Sequence, residues 1–299
     1  MPHLFAILLI LLGLPVAPAG AAELKLATWN IAWLTDRDAE LPRDRTQRRP
    51  ADLDLLAGYA RRLEADILAL QEVDGPEAAA RVLDPRAYAF FFPAEDDLQR
   101  SGFAVRRGLR VTQHPDLEAL DLNPRARFSL RRGTDITVEQ GGARLRLLSI
   151  HLKSGCASGP LGRPEHDCER LARQSEVLAR WVAARRAEGV AFALLGDFNR
   201  TMGNPSDDLW RRLAAEAPLL RATEGVSNPC WAGPRGGRGF IDHILLGGPA
   251  RDWAVPDSLR VMVYAEGRGA EGRSADYRSG NWRDRLSDHC PVSLRLRLP

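Results

Sequence analysis

Short apolar runs that stop on a polar residue recur from one end of the chain to the other. Residues 25–29 read as a strand ending at Asn30, and 67–70 as a buried strand ending at Gln71-Glu72. Between them, Leu53, Leu56, Ala57, Ala60 and Leu63 share one face of a helix predicted over 52–64. Further strands are predicted over 88–92 and 103–105. Residues 135–139 and 144–151 carry a hairpin pattern, joined by the turn Gln140-Gly141-Gly142. A long helix is predicted over 168–186, with Asp167 as its candidate N-cap. A buried strand follows over 191–195, ending in Gly196-Asp197, then a helix over 207–215 and late strands over 240–246, 259–263 and 292–298. The stretch 265–281, rich in Gly, Arg and Ser, reads as a long surface loop. Strands outnumber helices, and hairpin-like pairs alternate with a few helices. That pattern predicts layered sheets with helices outside rather than a doubly wound parallel sheet.

The first segment departs from this pattern. Residues 4–16 are an almost unbroken apolar run, followed by the small residues Ala17, Ala19, Gly20, Ala21 and Ala22. A short apolar core ahead of A-x-A-like sites is the pattern of a secretory signal peptide, and the run is too short to span a bilayer comfortably. The segment ahead of it carries His3 but no Lys or Arg, which is off-pattern. The expectation is removal of residues 1–22, after Ala19, Ala21 or Ala22. The mature chain, 23–299, is then secreted or periplasmic and has no transmembrane segment. With 44% hydrophobic and 27% charged residues in 299, the chain is not a coiled coil, a collagen, a disordered tail or a polytopic membrane protein. Its formal charge of +3 is too mild to argue for nucleic-acid binding by itself. The only lysines are Lys25 and Lys153; Arg suits phosphate, but such a skew ordinarily reflects genome base composition.

Polar residues stand where the apolar runs stop: Asn30, Glu72, His151, and Asp197 with Asn199. Asp242 lies inside Phe240-Ile241-Asp242-His243-Ile244, and Asp288-His289 precede Cys290-Pro291-Val292. Strand ends at one rim of a sheet bring side chains from distant sequence into one pocket. Each residue alone has an ordinary explanation. Asn30 is then a cap or turn residue, Glu72 a solvated acid, and His151 and His289 are packed or surface histidines. Asp242 in an apolar strand is harder to dismiss, because a buried carboxylate needs a partner. The weight comes from all of them occurring in one order, each at a strand end. Carboxylates and amide oxygens suit a hard cation such as Mg²⁺ or Mn²⁺. Two imidazoles supply acid and base near neutral pH.

The ordered set Thr28-Trp29-Asn30, Leu70-Gln71-Glu72, Ser149-Ile150-His151-Leu152, Gly196-Asp197-Phe198-Asn199, Ile241-Asp242-His243 and Ser287-Asp288-His289-Cys290-Pro291 resembles the endonuclease/exonuclease/phosphatase superfamily. The resemblance implies one α/β catalytic domain over 23–299. Its fold would be a four-layer α/β sandwich with two central, mostly antiparallel sheets and outer helices. It also implies divalent-metal-dependent phosphoester hydrolysis. On that reading Glu72 is the main metal ligand, with Asn30 and Asp288 nearby. His289 takes a proton from the attacking water, and Asp242 fixes its tautomer. Asp197 orients or helps deprotonate that water, and Asn199 hydrogen-bonds the phosphate. His151 stabilises the pentavalent state or protonates the leaving oxygen. Abasic endonucleases of this superfamily commonly have Tyr near the last position, so His151 points toward its deoxyribonuclease I, sphingomyelinase and phosphatase branches. Arg125 or Arg127, ahead of a strand-like stretch at 128–130, is a candidate further phosphate contact.

The family fixes the reaction and leaves the substrate open. The leading expectation is an exported nuclease, an endonuclease cleaving DNA or RNA, with no stable protein partner implied. Arg268, Arg273, Arg278, Arg283 and Arg285, interleaved with Tyr277 and Trp282, support it, although a solvated loop is the plainer explanation of them. The alternative is a phosphodiesterase or phosphatase for a lipid headgroup or small phosphoester. A lipid substrate calls for an exposed aromatic hairpin, and Phe90-Phe91-Phe92 is the only aromatic cluster. A binding module without catalysis would lack some of the matched positions; all are filled. Finally, Cys156 and Cys168 bracket a loop with two Gly and two Pro. In an oxidising compartment these two are expected to pair as a disulfide, stapling a loop beside His151. Cys230 and Cys290 are left open between a second pair and a buried free thiol.

Overall fold

The computed structural model describes residues 22–43, 45, 47–126, 129–227, 239–264 and 286–299. The strands are β1 (Glu23–Leu34), β2 (Ile67–Val73), β3 (Tyr88–Phe91), β4 (Gly102–Arg106), β5 (Arg110–Gln113), β6 (Thr134–Gln140), β7 (Ala143–His151), β8 (Ala191–Asp197), β9 (Leu219–Arg221), β10 (Asp242–Gly247), β11 (Arg260–Val261) and β12 (Val292–Arg297). The helices are α1 (Pro50–Leu63), α2 (Gly75–Ala80), α3 (His166–Glu188) and α4 (Asp208–Glu216). One six-stranded sheet runs β11-β12-β1-β2-β4-β3 and the other β5-β6-β7-β8-β10-β9. Among the described residues each sheet has a single parallel pair, β1/β2 and β7/β8, with every other pairing antiparallel. The parallel pairs need long crossovers, and α1 and α3 supply them.

Three apolar layers separate four structural ones, which is the expected α/β sandwich. Leu26, Ile67 and Phe103 of the first sheet pack with Leu147, Leu195 and Ile244 of the second. Trp29, Leu56, Leu70 and Ala79 join the outer face of the first sheet to α1 and α2. Leu148, Leu171, Leu178, Leu194 and Leu213 join the second sheet to α3 and α4. Side chains alternate along each strand, so β1 sends Leu24 and Leu26 between the sheets and Ala27, Trp29 and Ile31 toward the helices.

Several boundaries differ from the sequence reading. The first strand runs past Asn30 to Leu34, with a register shift against β2 between those residues. Helix α3 begins at His166 with Glu165 as N-cap. Asp167 is therefore inside its first turn, where it pairs with Lys153 Nζ at 3.0 Å instead of capping. Asp207 does cap α4, accepting from the Leu209 and Trp210 amides. Residues 129 and 130 are not in a strand. The short β5, β9 and α2 carried too few residues to show a period. Residues 1–21 and 265–285 lie outside the described residues, and so therefore do the apolar leader, the arginine-rich loop, Tyr277 and Trp282. No helix among the described residues is long and apolar enough to cross a membrane.

Candidate active site

The face that each strand turns toward the opposite sheet is aliphatic at depth and polar at one end. Along β1 it changes from Leu24 and Leu26 to Thr28 and Asn30; along β7, from Leu145 and Leu147 to Ser149 and His151. In β8 Asp197 follows Leu195 two residues on, and in β10 Asp242 precedes Ile244 by two. These changes fall at one level. His151 is in register with Asp197 across the parallel pair, and Asp197 with Asp242 across the antiparallel one. A buried chain ties the two sheets just beneath: Thr28 Oγ1 donates to Gln71 Oε1 at 3.0 Å, and Gln71 Nε2 donates to Ser149 Oγ at 3.2 Å. Gly196 is required where β7 and β8 meet, because a Cβ there would lie 2.0 Å from the Ile150 carbonyl oxygen.

Above this level opens a cavity of about 290 Å³. Glu72, His151, Asp197, Asn199, Asp288 and His289 all line it. Asn30 lies beneath, its Nδ2 donating to Glu72 Oε1 and Asp197 Oδ2, both at 3.1 Å. His151 Nε2 stands 3.6 Å from Glu72 Oε1 and 3.5 Å from Asp197 Oδ2. His289 Nδ1 is held 2.9 Å from Asp242 Oδ2, which leaves Nε2 facing Asp197 Oδ2 at 3.7 Å. The Asn199 amide nitrogen donates to the Leu152 carbonyl and to Asp197. Glu72, Asn199, Ala32 and Trp33 all have positive φ without being glycine. Strain of this kind costs about 1–3 kcal/mol per residue and concentrates at functional sites.

Burial drives the His151 pKa well below its ordinary value, and the charges of Arg131, His289 and Lys153 add to this. Burial also pushes the Asp197 carboxyl up; His289 opposes the shift, while Asp242 and Glu72 reinforce it. For His289 burial works against the charged form, yet the carboxylates of Asp242 and Asp197 overcome it and hold the pKa well above the usual range. A divalent cation would move all three balances, because it would be the largest charge in the site. Glu72, His151 and Asp197 each place one donor atom within 4.8 Å of the others, as do Asp197, Asp242 and His289. The donor set fits a hard cation: carboxylate oxygens converge in a half-open cavity, and no thiol is among them.

Of the three residues expected to hold a metal, Glu72 and Asn30 are in contact. Asp288 reaches the cavity from the other side, its Oδ1 3.9 Å from His289 Nε2. Asn30 presents its amide nitrogen to the acids, and its Oδ1 accepts from the Ala32 amide. Arg125 is exposed and does not line the cavity, and Arg127 lies outside the described residues. Arg131 and Arg45 line the cavity instead, and Arg131 Nε is buried with no hydrogen-bond partner among the described residues. Sequence reasoning missed Arg48, whose guanidinium donates to the carbonyls of Ile31, Ala32, Trp33 and Leu286. It also missed Tyr264, which accepts from Trp29 Nε1 and donates to the His289 carbonyl. Neither stands out in a chain with 42 basic residues and no alternation around Tyr264. Cys156 and Cys168 are paired as expected. Cys290 is disulfide-bonded, which removes the free-thiol alternative; Cys230 lies outside the described residues.

Residues 27–289 match the model of the Endonuclease/Exonuclease/phosphatase family, and the chain belongs to that family. It is a phosphoesterase of that superfamily, whose enzymes use divalent metals. Solved structures share the fold at low identity. Truncated TDP2 of Caenorhabditis elegans is 17% identical, with 92% of this chain and 98% of that one covered and a TM-score of 0.59. An endonuclease/exonuclease/phosphatase from Bacteroides vulgatus is 14% identical over 93% and 100% of the two chains, TM-score 0.58. TDP2 of D. rerio, complexed with single strand DNA product, is 16% identical over 92% and 98%, TM-score 0.56. No curated protein matches the chain significantly.

Proposed function

We propose that this protein is an exported, divalent-cation-dependent nuclease that hydrolyses phosphodiesters of DNA or RNA, cutting within the strand. The observation that carries the reading is the cavity itself: carboxylates and two imidazoles share one opening with the guanidinium-bearing Arg131 and Arg45. Glu72 and Asp288, with Asn30 beside them, are the residues that would hold Mg²⁺ or Mn²⁺. The cation, when bound, neutralises charge on a non-bridging phosphate oxygen.

The protein's own groups account for the rest. Asp242 fixes His289 through Nδ1, so Nε2 is the atom that would take a proton from the attacking water; Asp242 and Asp197 favour the charged imidazole, and the positive charge of a bound cation would bring it back toward the neutral base. Asp197, 3.7 Å from that atom, orients the water and assists its deprotonation. His151 presents Nε2 to the cavity; because burial holds it neutral, it serves there through an N–H that stabilises the pentavalent phosphorus rather than as a charged acid for the leaving oxygen. Asn199 lines the same wall, but the Leu152 carbonyl and Asp197 take its two amide N–H groups, so it binds a phosphate oxygen only by releasing one of them. Arg131 takes the phosphate-contact role first assigned to Arg125 or Arg127.

Supporting a nucleic acid are the arginine-lined rim and the single-strand DNA product bound by the D. rerio structure. The lipid alternative loses its one sequence feature. Phe90 and Phe92 pack toward the outer core of the first sheet and Phe91 toward the inter-sheet core, so they form no exposed hairpin. Export is supported by the apolar run at 4–16 and by the Cys156–Cys168 bridge.

The test incubates purified mature protein with supercoiled plasmid, RNA, sphingomyelin vesicles and a small phosphodiester, each with Mg²⁺ and with excess chelator. The expected result is nicked plasmid or cut RNA with Mg²⁺ and none with chelator. Turnover of sphingomyelin alone would overturn the nuclease reading. N-terminal sequencing of exported protein should begin at residue 20, 22 or 23; an intact Met1 in the cell pellet would overturn export.

A further inference from the structure

Beyond Asn30 the backbone of β1 does something costly. Ala32 and Trp33, neither of them glycine, take φ of 43° and 59°. For a bulky residue such as Trp that is an outlier, and it persists only where the surroundings over-determine it. Here they do. The Arg48 guanidinium donates to the carbonyls of Ile31, Ala32, Trp33 and Leu286, and Asn30 Oδ1 takes the Ala32 amide. Bulges beside active sites re-aim a side chain. The side chain so placed is the Trp33 indole, half-buried, lining the same cavity as Glu72, His151 and His289. The Arg45 guanidinium carbon sits 5.6 Å from the centre of its ring, and Arg45 lines the cavity as well.

We propose that Trp33 and Arg45 form a nucleobase subsite beside the scissile phosphodiester, in which an unpaired base stacks on the indole and Arg45 contacts the flanking phosphate. The inference rests on the nuclease reading and narrows it to strands with an accessible base. An indole next to a phosphate site, with a guanidinium held over its ring at 5.6 Å from the centroid, pairs the aromatic and cationic groups that bind single-stranded nucleic acid, and a base that stacks on the indole meets Arg45 there as well. A choline headgroup also favours an aromatic face, but Arg45 already places a positive charge there and repels a quaternary ammonium.

The experiment compares two single-stranded oligonucleotides of equal length around one cleavable diester, one base-bearing and one with abasic tetrahydrofuran residues beside the cut. The readout is the ratio of kcat/KM on the two, with Mg²⁺. The wild-type ratio should be about 10 or more, and Trp33→Leu should lower it about tenfold, within the range for one stacked base. Trp33→Phe, which keeps a ring, should restore most of it. Arg45→Gln should reduce the salt dependence of binding by about one phosphate contact. A wild-type ratio near one overturns the subsite without any variant, as does a Trp33→Leu protein that loses both substrates in proportion. If the wild type nicks supercoiled plasmid but cuts neither oligonucleotide, the subsite falls and the nuclease reading stands; if it cuts no nucleic acid at all, the nuclease reading has failed, and the subsite with it.

Discussion

The two sheets build their halves of the site with the same device and fasten them differently. In each, a parallel pair joined by an outer helix brings two polar side chains together: Asn30, just ahead of the register shift in β1, with Glu72 in the first sheet, and His151 with Asp197 at the strand ends of the second. Each end is then gripped by a guanidinium donating to backbone carbonyls. In the first half this is Arg48, spread over the strained 31–33 segment and Leu286. In the second it is Arg200, which binds the carbonyls of Cys156 and Gly159 and is neutralised by Asp207 at 2.8 Å. The second half also has the Cys156–Cys168 bridge. The half expected to hold the cation is thus pinned by hydrogen bonds to a strained backbone, while the half carrying the imidazole His151 is pinned by a covalent link and a buried ion pair. The first arrangement is expected to tie geometry to function and the second to tie it to stability.

The largest effects should come from removing one side chain per half. Glu72→Gln and His151→Ala should each lower turnover by about 10²–10⁴-fold. They should separate in a metal titration: Glu72→Gln shifts the Mg²⁺ midpoint upward and His151→Ala leaves it in place. A shared, unshifted midpoint would remove Glu72 from the cation site. Asp242→Asn should approach the defect of His289→Ala, because Asp242 alone holds His289 Nδ1 among the described residues.

The guanidiniums give the next test. Arg200→Met leaves the buried Asp207 carboxylate unpaired, which typically costs about 3–5 kcal/mol. Activity per folded molecule should change little. Arg48→Met removes donors from four carbonyls, and should lower activity per folded molecule by about tenfold or more, because loosened backbone at 31–33 displaces Asn30 and Trp33. Urea unfolding and single-turnover rates on the same samples separate the two. Equal activity losses per folded molecule would mean that both halves are fastened for the same purpose.

The same contrast governs what the sequence could show. The polar level was legible because an apolar run stops on an amide, imidazole or carboxylate at Asn30, His151 and Asp197, and because Asp242 interrupts another such run. The layer order followed from strands outnumbering helices, and the Cys156–Cys168 pair from a Gly- and Pro-rich loop. What holds those ends was not legible. Arg48, Arg131 and Arg200 act through positions that neither period nor spacing marks. The bulge at 32–33 contains no glycine to announce its positive φ. The cap of α3 was misplaced because Asp167 has the right chemistry for a cap but spends it on Lys153.

The bridge comes third. Of the segment from Leu152 to Glu165, Ser154 alone lines the cavity, so the bridged part of the loop lies behind the site rather than over it. Opening the bridge should therefore cost stability, up to about 3 kcal/mol for a loop of this length, and leave substrate preference alone. Cys156→Ser/Cys168→Ser compared with the wild type in thermal unfolding, and on plasmid against RNA, measures both. A change in the plasmid-to-RNA ratio would restore the loop to the substrate path.

The smallest effect concerns acid. His243 is fully buried behind the second half, with Nε2 donating to the Arg200 carbonyl and Nδ1 hydrogen-bonded to Thr223 Oγ1. Phe198 and Phe240 meet its ring edge-on. Burial lowers its pKa to about 3, and Arg221 adds to the shift. The unfolded chain takes up the proton near the ordinary value of about 6.5, while the folded chain resists until about pH 3. Stability from this group is therefore complete above about pH 6.5 and declines as the pH falls, by about 2 kcal/mol between 6.5 and 5. Arg48, lowered by burial only to about 10, does not change charge in that window, so acid should loosen the second half before the first. The measurement is the urea midpoint from pH 7 to 5 for wild type and His243→Gln. The variant should begin less stable and show a shallower slope. Parallel profiles would place the acid sensitivity elsewhere, and the second half would then owe nothing to its neutral imidazole.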